Sequence, residues 1–229
     1  MPTIYNTRQR FSFYCDEWLR AKKDSVREST YVKYETILRK HIKPKLGASF
    51  PAGINDAVTD AFTHELLTKD KLSVKFVQDI LSVLHGAMKY AAKRFSVPFV
   101  RIDIRYPRET KKETRVLSHD EQKCLAKYLL SDMDSCKFGV LLMLLTGMRI
   151  GELSALKWGD INIAEKTVCI KATFQRLHDA DSDGRIRTKI LIGAPKSGTS
   201  IRHKLIRPYT PRHNGKVERG HREDQKRFY

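Results

Sequence analysis

Acidic residues are scarce in this 229-residue chain: 26 Asp and Glu face 44 Lys and Arg, leaving a formal net charge of +18. A deficit of that size favours a polyanionic partner over an acidic small molecule. No single tail accounts for it, because residues 203–229 hold eight Lys and Arg against three acids and the larger part of the excess lies upstream. Cysteine is sparse as well. Cys15, Cys124, Cys136 and Cys169 show no close spacing, which excludes a zinc knuckle or a paired redox motif and leaves reduced thiols. Long uncharged apolar runs are missing, so no membrane span and no signal region are expected, and the chain reads as a cytoplasmic protein.

Helical periodicity is the main positive signal. Phe11, Cys15, Trp18 and Leu19 repeat at helical spacing, as do Tyr31, Tyr34, Ile37, Leu38 and Ile42 after a Ser29-Thr30 start, with Pro44 expected to lie beyond that helix. Residues 57–67 predict a third helix, and Ser73 caps a fourth through Val77, Ile80, Leu81, Leu84, Met88 and Ala91. Together they predict a four-helix bundle over residues 1–95. Its polar faces carry Arg27, Lys33, Lys40, Lys75, Lys89 and Lys93, a set suited to salt-sensitive contacts with the phosphates of double-stranded DNA. Residues 96–115, with Pro98, Pro107 and a charged run, read as a linker. Ser118 and Glu121 have the spacing of a capping box, so a second domain is expected to start near Val116.

Within that second domain, residues 138–145 predict a buried helix that Gly147 stops, and residues 150–156 resume a helix with Leu153 and Leu156 on one face. Arg149 therefore falls at a tight turn between two packed helices, where a long side chain is held in one direction. Its guanidinium is a planar fork of donors that suits a phosphate, and Glu152, three residues on, is in reach to pair with it. Beyond Asp160 the pattern turns to strands. Ile161 and Ile163, a turn at residues 164–166, and Val168 and Ile170 alternate as a hairpin. A third strand is expected near Lys171, a polar loop over 178–185, and a further strand at Ile190-Leu191-Ile192. The fold class is mainly α with a small antiparallel β-sheet.

The string Thr146-Gly147-Met148-Arg149-Ile150-Gly151-Glu152-Leu153, followed by Leu156, Trp158, Asp160 and Ile161, resembles the first active-site box of the tyrosine recombinases, or phage-type integrases. Gly193-Ala194-Pro195-Lys196-Ser197-Gly198-Thr199-Ser200-Ile201-Arg202 resembles their second box, a hairpin lysine followed by a Ser-x-Arg strand. The order of the N-terminal helices is similar to the SAM-like core-binding domain of that family, half of a clamp around DNA. The resemblance covers about residues 5–202, and makes 116–202 the N-terminal part of a catalytic domain. It implies DNA integration and recombination through a 3′-phosphotyrosyl link, with neither metal nor nucleotide cofactor, by protomers that assemble as tetramers. It also implies roles: Arg149 holds the non-bridging oxygens of the scissile phosphate, Lys196 protonates the leaving 5′ oxygen, and Glu152 supports Arg149.

The family's later motifs, a His-x-x-Arg pair and a nucleophilic tyrosine, find no match. His203, His213 and His221 are followed three residues later by Ile206, Lys216 and Asp224. From His203 the chain resembles instead the last catalytic box of DDE-type insertion-sequence transposases, with Asn214-Gly215-Lys216-Val217-Glu218-Arg219 opening a helix. Glu218 would match a metal-holding glutamate there, but Asp181 and Asp183 lie in the recombinase-like loop and do not complete a two-metal site. The expectation is a hybrid mobile-element product: a truncated, catalytically incomplete recombinase that binds DNA, with Tyr229 out of context as a nucleophile. Two alternatives are a non-catalytic inhibitor of an intact recombinase and a non-functional hybrid whose apolar residues 141–145 and 153–156 stand partly uncovered.

Overall fold

The computed structural model describes residues 9–97, 104–108, 115–178, 188–195 and 202–205, and these fall into two units whose principal division lies between residues 113 and 114. The first unit is helical. Helix α1 (Phe11–Lys22) turns Phe11, Tyr14, Cys15, Trp18 and Leu19 inward, as its spacing predicts. Helix α2 (Glu28–Ile37) begins at Glu28 with Arg27 in the capping position, one residue before the expected Ser29-Thr30 start. Helix α2 ends before Pro44 as expected, but the helical backbone does not stop there. A π turn over Leu38–Ile42 continues into the short α3 (Lys43–Leu46), which holds Pro44 in its first turn. The wider turn explains how: the Lys43 N–H reaches back to the Leu38 carbonyl, and Pro44 occupies a position where a missing N–H costs little.

Helix α4 (Asp56–Thr68) is capped by Asn55, whose side chain accepts from the Val58 N–H at 3.0 Å. Helix α5 (Val74–Phe95) is capped by Ser73 as expected, and Ser96 ends it at φ 52°. The core is built on α5. Ile80, Leu81, Leu84, Ala87 and Met88 bury against Phe11, Tyr14, Trp18, Ile37, Leu38 and Leu66. Edge-to-face rings of Phe13, Tyr14, Tyr90 and Phe95 close one end. Part of the expected linker lies on this unit, since Ile104 packs against the core and Gln78 Nε2 donates to the Pro107 carbonyl at 2.8 Å. Among the described residues no helix is long and apolar enough to cross a membrane.

The second unit opens with α6 (His119–Leu130), whose capping box is complete: the Glu121 N–H donates to Ser118 Oγ at 3.2 Å and the Ser118 N–H to Glu121 Oε2 at 2.8 Å. Helix α7 (Ser135–Thr146) ends on Gly147 at φ 62°, with its N–H on the Met143 carbonyl at 2.7 Å. The helix expected to be buried over residues 138–145 is buried on one side only. Phe138 and Val140 are exposed and only Gly139, Leu142 and Thr146 are buried, because α6 and α8 cover one side of α7. Helix α8 (Ile150–Ser154) is shorter than the predicted 150–156, turning out at Ala155.

Strands β1 (Ile161–Asn162) and β2 (Thr167–Ile170) form the expected hairpin, with Ile161 opposite Val168. Ile163 falls outside β1 and is exposed, because Lys166 at φ 53° tightens the connection and leaves Ile163 no partner strand. The third strand, β3 (Thr173–His178), begins two residues later than Lys171 and pairs with β4 (Thr188–Gly193). Of the expected Ser-x-Arg strand only Arg202 is among the described residues; it opens β5 (Arg202–Leu205), which takes in the first residues of the transposase-like stretch and runs antiparallel to β2 with Arg202 opposite Ile170. Leu142, Met148, Val168 and Ile170 make this unit's buried core, with Leu153 and Leu156 half-buried beside them.

Candidate phosphate-binding site

Arg149 is placed by its neighbours in sequence. The left-handed Gly147 lets the chain reverse out of α7, and the Thr146 hydroxyl donates to the Leu142 carbonyl at 2.6 Å, holding the last turn closed. Met148 is buried, which pins the chain one residue before the arginine. Glu152 then grips Arg149 twice: its Oε2 accepts from the Arg149 main-chain N–H at 2.9 Å, and its Oε1 from Nη1 at 2.8 Å. Glu152 itself is 3 % exposed while the Arg149 side chain is 64 % exposed. The pair is thus a buried acid holding an outward cation by one edge of its fork. The remaining donors of Arg149 face solvent, in reach of an anion.

Glycines make room for this arrangement. A Cβ on Gly139 would stand 3.0 Å from Leu153 Cδ2, so α7 and α8 pack through a position that has none. On the other side, a Cβ on Gly151 would stand 2.7 Å from Thr173 Oγ1 and 2.9 Å from the Phe174 carbonyl oxygen, so α8 lies directly on the backbone of β3. Below the turn, Asp160 caps the Trp158–Asp160 turn through the Lys157 N–H and accepts from Lys171 Nζ at 2.8 Å. The Lys171 hydrogen bond holds the Asp160 carboxyl below its ordinary range, and the same bond pushes Lys171 up. Sequence reading missed this pair. The Lys157-x-x-Asp160 spacing was the available signal for the cap, and the hairpin register that brings Lys171 across was not. Trp158 stands 82 % exposed in the same turn.

The other predicted site residues fall in several places. Lys196 and Glu218 lie outside the described residues, as do Asp181, Asp183 and Tyr229. Lys75, Lys89 and Lys93 are exposed on α5 and, at about 100° per residue, share a stripe opposite the buried arc. Lys33 on α2 reaches that stripe but is held there by Asp79 of α5 at 2.8 Å. Lys40 lies in the π turn between Arg39, which pairs with Glu35, and His41. His41 meets Phe76 edge-on at 5.4 Å, and burial pushes its pKa down, so the turn's cations are Arg39 and Lys40. Arg27 is exposed at the start of α2. The first unit thus presents several exposed cations and the second an arginine held by Glu152, and each by itself suits a phosphate. Among the described residues no cluster of His, Cys, Asp and Glu is arranged to hold a metal ion.

Residues 10–49 match the family described as phage integrase, N-terminal SAM-like domain. A curated relative, a tyrosine recombinase XerC-like protein of Caldanaerobacter subterraneus subsp. tengcongensis, is 26% identical over 185 residues, covering 78% of this chain and 47% of that protein. The chain thus spans about half the length of the curated relative it matches. Among solved structures, the Tn1549 transposon integrase in complex with a circular intermediate DNA superposes with a TM-score of 0.70 at 14% identity, over 92% of this chain and 65% of that one. A lambda integrase tetramer bound to a Holliday junction superposes with a TM-score of 0.58 at 16% identity, over 82% and 52%. The fold is that of the tyrosine recombinase integrases.

Proposed function

We propose that this chain is a duplex-DNA-binding protein of the site-specific recombination class, in which Arg149 of the second unit anchors a backbone phosphate and, on the first unit, the exposed lysines of α5 and the π turn make phosphate contacts of their own. The observation that carries this reading is the buried Glu152 holding Arg149 outward by one edge, on a fold shared with integrases that are solved with DNA. In this reading Lys196 is the general acid and Glu152 the support of Arg149. The sequence contains no His-x-x-Arg, so the chain's own residues bind and orient the phosphate without completing strand transfer. Residues 203–229, on the same reading, derive from a DDE-type transposase of a mobile element, and Glu218 holds no metal there.

Gel-shift and covalent-adduct assays on the purified chain test this together. Duplex binding that weakens steeply with salt, weakens again on Arg149→Ala, and leaves no protein covalently attached to DNA is the expected result. An adduct that survives denaturation would overturn the non-cleaving assignment, and a Tyr229→Phe control would show whether the last residue carries it. Binding unchanged by Arg149→Ala would remove the phosphate role of Arg149.

A further inference from the structure

Gly151 is conspicuous for where it sits rather than for its flexibility. It is the second residue of α8, between the arginine that the helix presents and the buried glutamate that holds it. The α8 helix is five residues long, too short to fix its own direction by propensity, so something outside it must set where Arg149 points. Two contacts do so. Leu153 enters the space left by Gly139 on α7, and Gly151 rests on Thr173 and Phe174 of β3. The first contact is to a terminal methyl group of a flexible side chain and yields easily. The second is to a carbonyl oxygen of a paired strand, 2.9 Å from where a Cβ would be, and cannot yield without moving either the strand or the helix.

We propose that Gly151 is a positioning residue, whose missing side chain seats the Arg149 turn on β3 and so sets the direction of the guanidinium. Thr173 is its size-matched partner. A methyl group at 151 lifts the N-terminal end of α8 off the strand. The Glu152 carboxylate, bonded to both the main-chain N–H and Nη1 of Arg149, moves with it, and the fork turns away from the phosphate it would meet. The inference rests on the phosphate reading of Arg149 given above.

The test is a double-mutant cycle on the full chain, with duplex-DNA dissociation constants and melting temperatures measured for each protein. Gly151→Ala is expected to weaken binding about tenfold, the scale of one charge-assisted hydrogen bond lost. In the Arg149→Ala background the same substitution is expected to add nothing, because there is no longer a fork to misdirect. Thr173→Ala should restore part of the affinity of Gly151→Ala, removing the 2.7 Å obstacle but leaving the carbonyl at 2.9 Å. Equal weakening in both backgrounds, accompanied by a lowered melting temperature, would mean that Gly151 serves stability alone and would overturn the positioning role. So would full affinity in Gly151→Ala while Arg149→Ala is weak. Arg149→Ala with undiminished affinity would overturn the phosphate reading itself, and the positioning role would fall with it.

Discussion

Cys15 shows how far burial alone governs chemistry at a single residue. It lies inside α1's apolar face, and loss of solvent pushes its thiol up to about 12. Cys124 and Cys136 are exposed. Since the thiolate is the reacting species, Cys124 and Cys136 should be alkylated by iodoacetamide at pH 8 within minutes, while Cys15 stays unmodified until denaturant is added. Peptide mass spectrometry reads this directly, and modification of Cys15 in the native protein would show that α1 opens. Asp160 illustrates the opposite sign. Its folded-state value is depressed by Lys171, so the pair's contribution is present above the ordinary aspartate range and disappears as pH falls through the lower folded value. Lys171 is well exposed although Asp160 is largely covered, and solvent around the lysine keeps that contribution small.

Between elements, Lys33 on α2 is tied to Asp79 on α5, and on the proposed DNA-binding role that tie withholds a cation from phosphate. Lys33 and Asp79 are both partly exposed, and such a pair contributes about 0.2–1 kcal/mol. Asp79→Asn should therefore leave the melting temperature nearly unchanged while raising duplex affinity a few-fold, because it frees Lys33 and deletes an acid from the lysine stripe. A loss of affinity instead would mean that the pair positions Lys33 productively. The elements themselves differ in how readily sequence exposes them. Ser73 and the Ser118–Glu121 box act within three residues, and the structure has those caps where the spacing puts them. Gly147 is equally local, which is why the Arg149 turn is legible. The π turn is not: one extra residue leaves the run from Tyr31 to Ile42 looking like ordinary helix, and only Pro44 hints that the turn must widen. The seat of Gly151 on β3 is invisible for another reason. It joins positions 22 residues apart through a strand whose start was itself displaced by two residues, and a glycine in a helix carries no mark of what approaches it.

At the scale of the whole chain, the two units differ in how much apolar surface they bury. The first is organised around a 22-residue helix with its inward face fully packed; the second buries Leu142, Met148, Val168 and Ile170 while Phe138, Ile150, Ile163, Ile190 and Ile192 remain exposed. A fragment of residues 1–108 should consequently fold alone, melting cooperatively near the upper transition of the full chain, and the second unit should account for any lower transition. Calorimetry of both proteins checks this. A fragment without a transition would mean that the bundle depends on residues beyond 108.

Two tryptophans occur in the chain, one in each unit: Trp18 is 5% exposed beside Tyr34, and Trp158 is 82% exposed. The molecule therefore carries its own pair of optical labels. Emission from Trp158 is open to iodide or acrylamide quenching in the native state, whereas Trp18 is shielded until α1 leaves α5. Quenching and wavelength can thus be followed separately in one cuvette, without an attached dye, to follow the two halves of the protein as each meets denaturant or a nucleic acid.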